Sequence, residues 1–286
     1  MSEEINIRIL DDTDRQALEH FLKDHRDSSM FLRANVRRVG LVYRDALFHA
    51  LYCGAVEANR IVGVVAHAWS GMVLLQCPGE IGELARNCIS WSGRPITGFA
   101  GPANQVHRAR ISLGLANAPT QMDEEEGLYA LDLEELQIPA ALQNGEITCR
   151  APLLAERDLL RRWRFAYDIE SLGSAESEET RNQSTATLDR QIEDGNAWVA
   201  IKNGEPVSLS AFNATLPDIV QLGGIYTPPE HRGKGYAKAS VAASLIAARQ
   251  RGASRAVLFT GNPSAARSYE AVGFRLLGGY GIVLLK

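Results

Sequence analysis

The chain has 286 residues, of which 45% are hydrophobic and 22% charged, and its formal net charge is -4. This length predicts one large domain or two of ordinary size, with enough apolar side chains for buried cores. The mildly acidic balance argues against nucleic acid as a partner, because nucleic-acid-binding surfaces carry an excess of positive charge. We interpret the local basic cluster of Arg161, Arg162 and Arg164 as a solvated helix face.

The four cysteines and six histidines show neither a CxxC pair nor a spacing typical of metal ligands. We therefore expect no metal site, and we expect the cysteines to be reduced and mostly buried. The first residues, MSEEINIRIL, are acidic and lack an apolar signal core. No segment approaches the run of about 20 apolar residues that a membrane span needs, so we expect a cytoplasmic protein without membrane contact.

The first half of the chain alternates helical and strand patterns. Helical patterns cover residues 12–25, 28–39 and 79–88 and the segment ANQVHRARISL. Strand patterns cover INIRIL, residues 50–56, 61–68 and 72–76, ITGFAG and LYALDLEEL, and the first two strands of the central group are joined by a turn at Asn59 and Arg60. We interpret the acidic stretch 122–127, MDEEEG, as a loop.

The second half repeats this order with clearer signals. EITCRA is a strand, residues 152–171 carry apolar side chains at helical spacing, and SLGSAESEETRNQ is a polar loop before a second helix that ends near Asp194. AWVAIK and PVSLSAF form a hairpin around Asn203 and Gly204, because Asn-Gly supplies the positive φ angles of a tight turn. There follow a strand in DIVQLGGIYT, a long helix in YAKASVAASLIAARQRG, a strand in RAVLFTG, a short helix in SAARSYEAVGF, and a strand pair or bent strand in RLLGGYGIVLLK.

Both halves therefore share the order strand, two helices, hairpin, strand, helix, strand, helix, strand. An internal duplication is the economical explanation. The pattern predicts an α/β fold with a mixed central sheet flanked by helices, divided into domains at residues 1–144 and 145–286.

The stretch TPPEHRGKGYAK, residues 227–238, has the composition of an anion-binding loop. Pro228 and Pro229 end the preceding strand because proline cannot donate to a sheet ladder. Gly233 and Gly235 let the chain turn so that successive N–H groups point inward, and a helix begins immediately afterwards. The first turn of a helix has unpaired N–H groups and a partial positive charge. The stretch therefore predicts a phosphate site.

Two familiar nucleotide-binding patterns do not fit this loop. The P-loop pattern GxxxxGK[ST] needs Ser or Thr after its lysine, whereas Gly235 follows Lys234. The dinucleotide pattern GxGxxG has Lys238 in place of its third glycine, and no acidic residue ends the following strand RAVLF.

The spacing R-x-x-G-x-A at Arg232, Gly235 and Ala237, after the strand end GGIYT, resembles the acyl-CoA signature of the GNAT superfamily of N-acetyltransferases. Downstream, LFTGNPSAARSYEAVGF resembles the second signature of that family: a strand, an Asn, a short helix bearing Tyr, then Gly-Phe. Together they cover residues 218–274. The resemblance implies two GNAT-like domains, of which the first is degenerate, and acetyl-CoA as co-substrate.

The same resemblance implies roles for individual residues. Asn262 would contact the pantetheine arm, and Tyr269 would donate a proton to the departing thiolate. Main-chain groups at Ile225, Tyr226 and Thr227 would contact the pantetheine and the thioester carbonyl, where the neighbouring strand splays away. The backbone N–H groups that would hold the CoA pyrophosphate belong to Arg232, Gly233, Lys234, Gly235, Tyr236 and Ala237. Taken singly, the basic residues could be loop charges, Asn262 a helix cap and Tyr269 a packing residue.

The sequence does not identify a general base or the acceptor. The resemblance implies direct attack of an amine on the acetyl carbonyl, often assisted by a Glu on the strand before the loop. That strand offers only Asp218 and Gln221, and Glu230 and His231 are weak candidates. The helix that borders the acceptor cleft in GNAT folds carries Trp163, Tyr167, Asp168 and Glu170, although core packing explains its aromatic residues equally well. A small-molecule or peptide amine is the expected acceptor.

The first half lacks the acyl-CoA signature, because CPGEIGELA stands at the corresponding place. We expect this half to shape the acceptor site or a subunit contact, such as that of a homodimer, and the alternative is an unrelated α/β accessory domain. Two rival functions stay open: a non-catalytic acyl-CoA sensor, and an acyltransferase that uses a longer acyl-CoA.

Overall fold

The structure, a computed structural model, describes residues 5–286, and contacts divide the chain into two compact units. The described part of unit 1 comprises residues 5–128 and the C-terminal segment Leu277–Lys286, and unit 2 is Tyr129–Leu276. The boundary predicted at residues 144 and 145 lies within unit 2, so it stays a prediction about where the sequence repeat begins again. Across residues 5–286 no helix is both long and apolar enough to span a bilayer.

Unit 1 contains a sheet in the order β1-β2-β3-β4-β5-β12-β6, with helices packed on it. Neighbouring strands from β1 to β4 are antiparallel, β4 and β5 are parallel, and β12 is antiparallel to β5. The elements are β1 (Asn6–Ile9), α1 (Arg15–Asp24), α2 (Met30–Val39), β2 (Ala50–Glu57), β3 (Arg60–Ala68), β4 (Met72–Gln76), α3 (Gly82–Ser92), β5 (Gly98–Pro102), α4 (Ala103–Ser112), β6 (Thr120–Asp132) and the last strand, β12 (Arg275–Leu285).

Unit 2 contains a sheet in the order β6-β11-β10-β9-β8-β7, to which β6 contributes its residues from Tyr129 onward. The strands from β7 to β10 are antiparallel to their neighbours, and β10 and β11 are parallel. The further elements are α5 (Ala140–Gln143), β7 (Thr148–Arg150), α6 (Arg157–Leu172), α7 (Glu178–Glu193), β8 (Ala197–Lys202), β9 (Glu205–Thr215), β10 (Ile219–Tyr226), α8 (Tyr236–Gln250), β11 (Arg255–Thr260) and α9 (Pro263–Glu270).

The two units repeat one topology, which confirms the predicted α/β fold and the duplicated order of elements. In each unit the first four strands are antiparallel neighbours and the fourth pairs in parallel with the fifth after a helical crossover. The predicted hairpin is present, because Asn203 (φ 52°) and Gly204 (φ 84°) form the turn that pairs Lys202 with Glu205. The equivalent turn in unit 1 uses Ala58 and Asn59, one residue earlier than predicted.

The loop predicted at residues 122–127 is wrong, since β6 runs without interruption through them. Charged side chains do not prevent strand formation where the sheet face is exposed, because only the backbone enters the ladder. Within unit 1, glycine on the neighbouring strand makes room for this acidic run: a Cβ at Gly279 would overlap the side chain of Glu125. Of the two alternatives predicted for the C-terminus, a strand pair or one bent strand, the structure has one strand, β12.

Helix α8 packs closely on the sheet of unit 2 because its buried face is made of small residues. Ala239, Ala242 and Ala248 are fully or almost fully buried, and Val241 and Leu245 fill the core beside them. This face needs little space per residue, so α8 lies close to β9, and its first turn packs against residues of β7, β8 and β9. Serine hydroxyls add two contacts between α8 and β9, from Ser208 to Ser240 at 3.1 Å and from Ser210 to Ser244 at 3.2 Å.

Candidate functional site

Strands β10 and β11 of unit 2 separate toward their C-terminal ends. Their parallel register covers Ile219–Gln221 on β10 and Arg255–Val257 on β11, and both strands continue beyond it. On its other side β10 shifts register against β9 twice, the second time between Gly223 and Tyr226. A bulge of this kind redirects the backbone of the strand. Main-chain groups at the end of β10 therefore face an opening rather than a complete ladder.

The bulge has a specific sequence requirement at Gly224. Its φ of +66° lies in the left-handed region, which glycine adopts without a steric penalty. A Cβ at this position would also lie 2.8 Å from Nη1 of Arg164, closer than real Cβ atoms approach. The paired glycines of GGIYT are the sequence signal for this bulge.

The loop after β10 has the conformation that its sequence predicts. A single 3-10 turn, Pro229–His231, follows the strand, and its N–H group at His231 is bonded to the carbonyl of Pro228 at 2.9 Å. Gly233 and Gly235 have φ values of 76° and 79°, and α8 begins at the next residue. Gly235 is the N-cap and has no side chain to accept from the first turn, so the helix start is open to an external anion.

Charged side chains of this loop are tied to backbone carbonyls. Arg232 donates from Nε to the carbonyl of Thr227 at 2.9 Å, and Lys234 donates from Nζ to the carbonyl of Glu230 at 2.9 Å. Both side chains are exposed, and both belong to the loop that precedes α8. Two charged side chains of the loop therefore hydrogen-bond to backbone carbonyls near them in the chain.

Glu170, at the end of α6, joins this loop to β10. Its Oε2 accepts from Nη2 of Arg232 at 2.5 Å, and its Oε1 accepts from the hydroxyl of Tyr226 at 2.9 Å. Burial raises the pKa of Glu170, but the hydrogen bonds from Arg232 and Tyr226 together outweigh it and hold the pKa below its usual range. Burial, followed by the contact with this carboxylate, raises the pKa of Tyr226 to about 12. The helical pattern of residues 152–171 predicts the helix that carries Glu170, but no local pattern indicates its two partners.

Asn262 and Tyr269 lie on or beside α9. The amide oxygen of Asn262 caps the helix by accepting from the N–H groups of Ser264 at 2.8 Å and Ala265 at 3.2 Å. Tyr269 is 8% exposed, and its ring lies 6.2 Å from that of Phe274. The structure therefore shows Asn262 as the cap of α9 and Tyr269 as a packing residue.

A cavity of about 330 Å³ opens at the C-terminal end of β11. Asn262 forms part of its wall, so the cavity lies where the second signature begins. The lining residues are Tyr129, Thr260, Gly261, Asn262, Pro263, Ala266, Arg267 and Glu270.

The interpretation of Arg164 as a solvated residue is wrong. Arg164 and Asp168 are only 8% and 6% exposed, and they form a buried ion pair with Nη2 of Arg164 at 2.9 Å from Oδ1 of Asp168. Ser184 of α7 donates to the same carboxylate at 2.5 Å. Within the described chain, Nη1 of Arg164 has no hydrogen-bond partner. The spacing of Arg164 and Asp168, four residues apart on one helix, was the available signal for the pair.

The four candidate bases named from the sequence lie in different surroundings. Gln221 is buried, with 1% exposure, whereas Glu230 is exposed on the 3-10 turn. The ring of His231 lies 6.1 Å from that of Tyr236. The carbonyl of Asp218 accepts from the N–H group of Ser254 at 3.0 Å, at the opposite end of β10 from the loop.

The corresponding loop of unit 1 is closed by its own side chains. Oε1 of Glu80 accepts from the N–H group of Gly82, the first residue of α3, at 3.0 Å. Arg108 donates to the carbonyls of Gly79 at 2.8 Å and Cys77 at 3.2 Å. A carboxylate thus occupies the position at which the loop of unit 2 is open to an anion.

A comparison with protein-family models finds a match within unit 2. Residues 161–274 match the family model described as Acetyltransferase (GNAT) family. A search of curated proteins found no match.

Solved structures share the fold over nearly the whole chain. A GCN5-related N-acetyltransferase from Sphaerobacter thermophilus has a TM-score of 0.57 at 15% identity, over 98% of this chain and 94% of that one. A tandem GNAT protein from the clavulanic acid biosynthesis pathway has a TM-score of 0.54 at 13% identity, over 98% and 97% of the two chains. A GNAT-family acetyltransferase from Colwellia psychrerythraea has a TM-score of 0.53 at 12% identity, over 98% and 100%. At these identities the likeness establishes a tandem arrangement of two such folds.

Proposed function

We propose that this chain, which carries a GNAT acetyltransferase-family domain at residues 161–274, transfers an acetyl group from acetyl-CoA to a primary amine of a small molecule or peptide. Acyl-CoA-dependent acyl transfer is the general chemistry of that family. The observation that carries the proposal is the separated end of β10 and β11, followed directly by the left-handed turn at Gly233 and Gly235 and the open start of α8.

The loop suits the pyrophosphate of CoA. Two glycines with positive φ direct successive N–H groups to one point, and the first turn of a 15-residue helix adds its partial positive charge. Arg232 and Lys234 supply positive charge around that point. In this assignment the backbone N–H groups from Arg232 to Ala237 hold the pyrophosphate.

The end of β10 suits the pantetheine arm and the thioester. Extended pantetheine can pair with main-chain groups of Ile225, Tyr226 and Thr227 in the way a further strand would, because β11 has already separated from β10. An N–H group there would stabilise the negative charge that develops on the thioester oxygen during attack. Tyr269 would protonate the departing thiolate, and Asn262 would contact the pantetheine through the amide nitrogen that its cap leaves available.

In this proposal the two sequence halves have different roles. The half at residues 145–286 is catalytic, whereas the half at residues 1–144 is degenerate and binds no CoA. The support for this is the carboxylate of Glu80 at the start of α3, which would repel a phosphate at that place.

A steady-state assay of thiol release from acetyl-CoA, run with a panel of amine acceptors, tests the proposal. Gly235→Ala should lower the apparent affinity for acetyl-CoA by about 5- to 30-fold, because the left-handed conformation costs an L-residue about 1–2 kcal/mol. Gly195→Ala is the matched control: Gly195 has φ +66° and open space around it, but it lies outside the loop. Equal effects of both substitutions on acetyl-CoA affinity, or no acceptor-dependent thiol release, would contradict the proposal.

The same assay separates the rival functions. A sensor would bind acetyl-CoA without releasing thiol to any amine, and an enzyme for longer chains would turn over a longer acyl-CoA faster than acetyl-CoA. Tyr269 matches, by sequence resemblance, the tyrosine that serves as general acid in the family, and this supports turnover over sensing.

A further inference from the structure

We propose that Glu170 accepts the proton of the attacking amine, and that Arg232 holds Glu170 inactive until the CoA pyrophosphate takes the Arg232 guanidinium. This inference rests on the proposed acyl transfer and supplies the base that the sequence did not identify. It also makes acetyl-CoA binding the event that prepares the acceptor side of the site.

Glu170 is connected to the end of β10 through the side chain of Tyr226. Tyr226 is the last residue of β10, two residues after the bulge at Gly224, and its main chain lies where the thioester is proposed to bind. Its hydroxyl donates to Oε1 of Glu170 at 2.9 Å. The side chain of Tyr226 belongs to the core formed with α6 and α7, and α6 is the helix that the family resemblance places beside the acceptor cleft. Glu170 is therefore the carboxylate connected to the end of β10 from the side from which an amine would arrive.

The contacts of neighbouring charges make Glu170 the available base. Asp168, two residues earlier on α6, is buried and already accepts from Arg164 and Ser184. Glu170 lies at the surface, with 42% of its side chain exposed, so a substrate ammonium can reach it. The charged and titratable groups whose interactions shift Glu170 are Arg232 of the loop and Tyr226 of β10.

The Glu170–Arg232 pair can be exchanged at small cost. Both side chains are about half exposed, at 42% and 49%, and ion pairs with such exposure contribute from about 0 to 1 kcal/mol. A pyrophosphate held by the backbone of the same loop offers Arg232 a doubly charged partner with several acceptor oxygens. Arg232 is the first residue of the proposed pyrophosphate-binding segment, and its Nε donates to the carbonyl of Thr227. Its guanidinium therefore needs only a local rotation to exchange Glu170 for the pyrophosphate.

This exchange changes the acid–base character of Glu170. In the free protein the hydrogen bonds from Arg232 and Tyr226 hold its pKa below the usual range, which makes it a weak base. When Arg232 turns to the pyrophosphate, Glu170 loses the hydrogen bond that lowers its pKa more than the one from Tyr226 does. Burial and the nearby phosphates then raise the pKa of Glu170. Glu170 then becomes a stronger proton acceptor when, and only when, the acyl donor is bound.

The proposed proton transfers balance. The ammonium form of the acceptor, R-NH3+, gives one proton to the Glu170 carboxylate, directly or through the Tyr226 hydroxyl. The lone pair of the amine then forms a bond to the thioester carbon, and the carbonyl π electrons move to oxygen. Collapse of this intermediate re-forms the carbonyl and breaks the C–S bond, and the second nitrogen proton ends on the thiolate sulfur. Glu170 returns its proton to solvent, which leaves the amide and free CoA.

Calorimetric titration with acetyl-CoA, repeated in buffers of different ionisation enthalpy, tests the exchange without an acceptor. Because the pKa of Glu170 is low in the free protein and higher in the complex, binding should take up protons between these two pKa values. Affinity for acetyl-CoA should therefore strengthen as the pH falls through that window. Glu170→Gln should abolish this uptake. Glu176→Gln, which changes an exposed carboxylate in the loop after α6, should leave it as in the wild type.

Turnover tests the catalytic role. Glu170→Gln should lower kcat by about 10²–10⁴-fold, remove the acidic limb of the pH profile of kcat, and leave acetyl-CoA affinity equal to or tighter than that of the wild type. A merely structural Glu170 would instead weaken acetyl-CoA binding through the loop and leave kcat at saturation unchanged. Equal proton uptake in wild type and Glu170→Gln, or wild-type kcat in the variant, overturns this inference while acyl transfer stands. A wild-type protein that neither binds acetyl-CoA nor releases thiol overturns the proposed function, and this inference with it.

Discussion

Replacement of Asp168 by Asn should destabilise unit 2 strongly, since it breaks a buried ion pair and keeps the shape of the side chain. The carboxylate of Asp168 accepts hydrogen bonds from Nη2 of Arg164 at 2.9 Å, from Nε of Arg164 at 3.1 Å and from the hydroxyl of Ser184 at 2.5 Å. Asparagine cannot neutralise the guanidinium, and its amide offers one oxygen where the carboxylate offers two. The variant therefore leaves a positive charge buried without a counter-charge.

The magnitude follows from the burial of the pair. Arg164 and Asp168 are 8% and 6% exposed, so water compensates little for the lost partner. Removal of one member of a buried pair costs about 3–5 kcal/mol in free energy of unfolding. With a urea m-value of about 2 kcal/mol per M, the unfolding midpoint should fall by about 2 M.

Urea unfolding followed by tryptophan fluorescence measures this shift, because Trp163 lies on the same helix as the pair. Asp189→Asn is the matched control: its pair with Arg161 has a distance of 2.7 Å, but the two side chains are 23% and 34% exposed. That substitution should cost less than about 1 kcal/mol. If the two variants unfold at the same urea concentration, the assignment of Arg164–Asp168 as a buried, structure-determining pair is refuted.

Three further substitutions test the site. Tyr269→Phe should lower kcat by about 10²-fold or more with little change in acetyl-CoA affinity, because the ring still packs beside Phe274; unchanged turnover would remove Tyr269 from the mechanism. Asn262→Ala should cost about 1 kcal/mol of stability, measured by thermal unfolding, since α9 loses its cap. Gly224→Ala should cost about 1–3 kcal/mol and lower turnover, because the left-handed bulge residue would gain a Cβ against Arg164; wild-type stability would argue against this bulge geometry.

Features with a local cause could be predicted from the sequence. The Asn203–Gly204 turn follows from two positive φ angles, and the loop at Gly233 and Gly235 follows from the same property placed between a strand and a helix. The alanine-rich face of α8 likewise predicts close packing on a sheet. In each case the residues that cause the structure are neighbours in the chain.

Features that depend on distant partners could not be predicted. Glu170 and Arg232 are 62 residues apart in the chain, and nothing in either local sequence indicates their contact. The acidic stretch 122–127 has the composition of a loop, but in unit 1 it forms part of a strand beside β12, which comes from the far end of the chain. The burial of Arg164 could not be predicted either, because it involves α7, which brings Ser184 to the carboxylate of Asp168 that pairs with Arg164.

The division of the chain shows the same limit. A repeat in the order of elements indicates how many folded units to expect, but it does not show which unit a terminal strand will join. Residues 277–286 belong to unit 1 by their contacts, although they follow the whole of unit 2 in the chain. Pairing of Tyr280–Leu284 with β5 accounts for this, and sequence alone carries no mark of that partner choice.

Calorimetric titration of the wild-type chain with acetyl-CoA tests the central claim most directly, because the two loops make opposite predictions. The open start of α8 should bind one acetyl-CoA per chain, whereas the start of α3, already occupied by the carboxylate of Glu80, should bind none. The account predicts saturable binding with a stoichiometry of one. Absence of binding, or a stoichiometry of two, would contradict it.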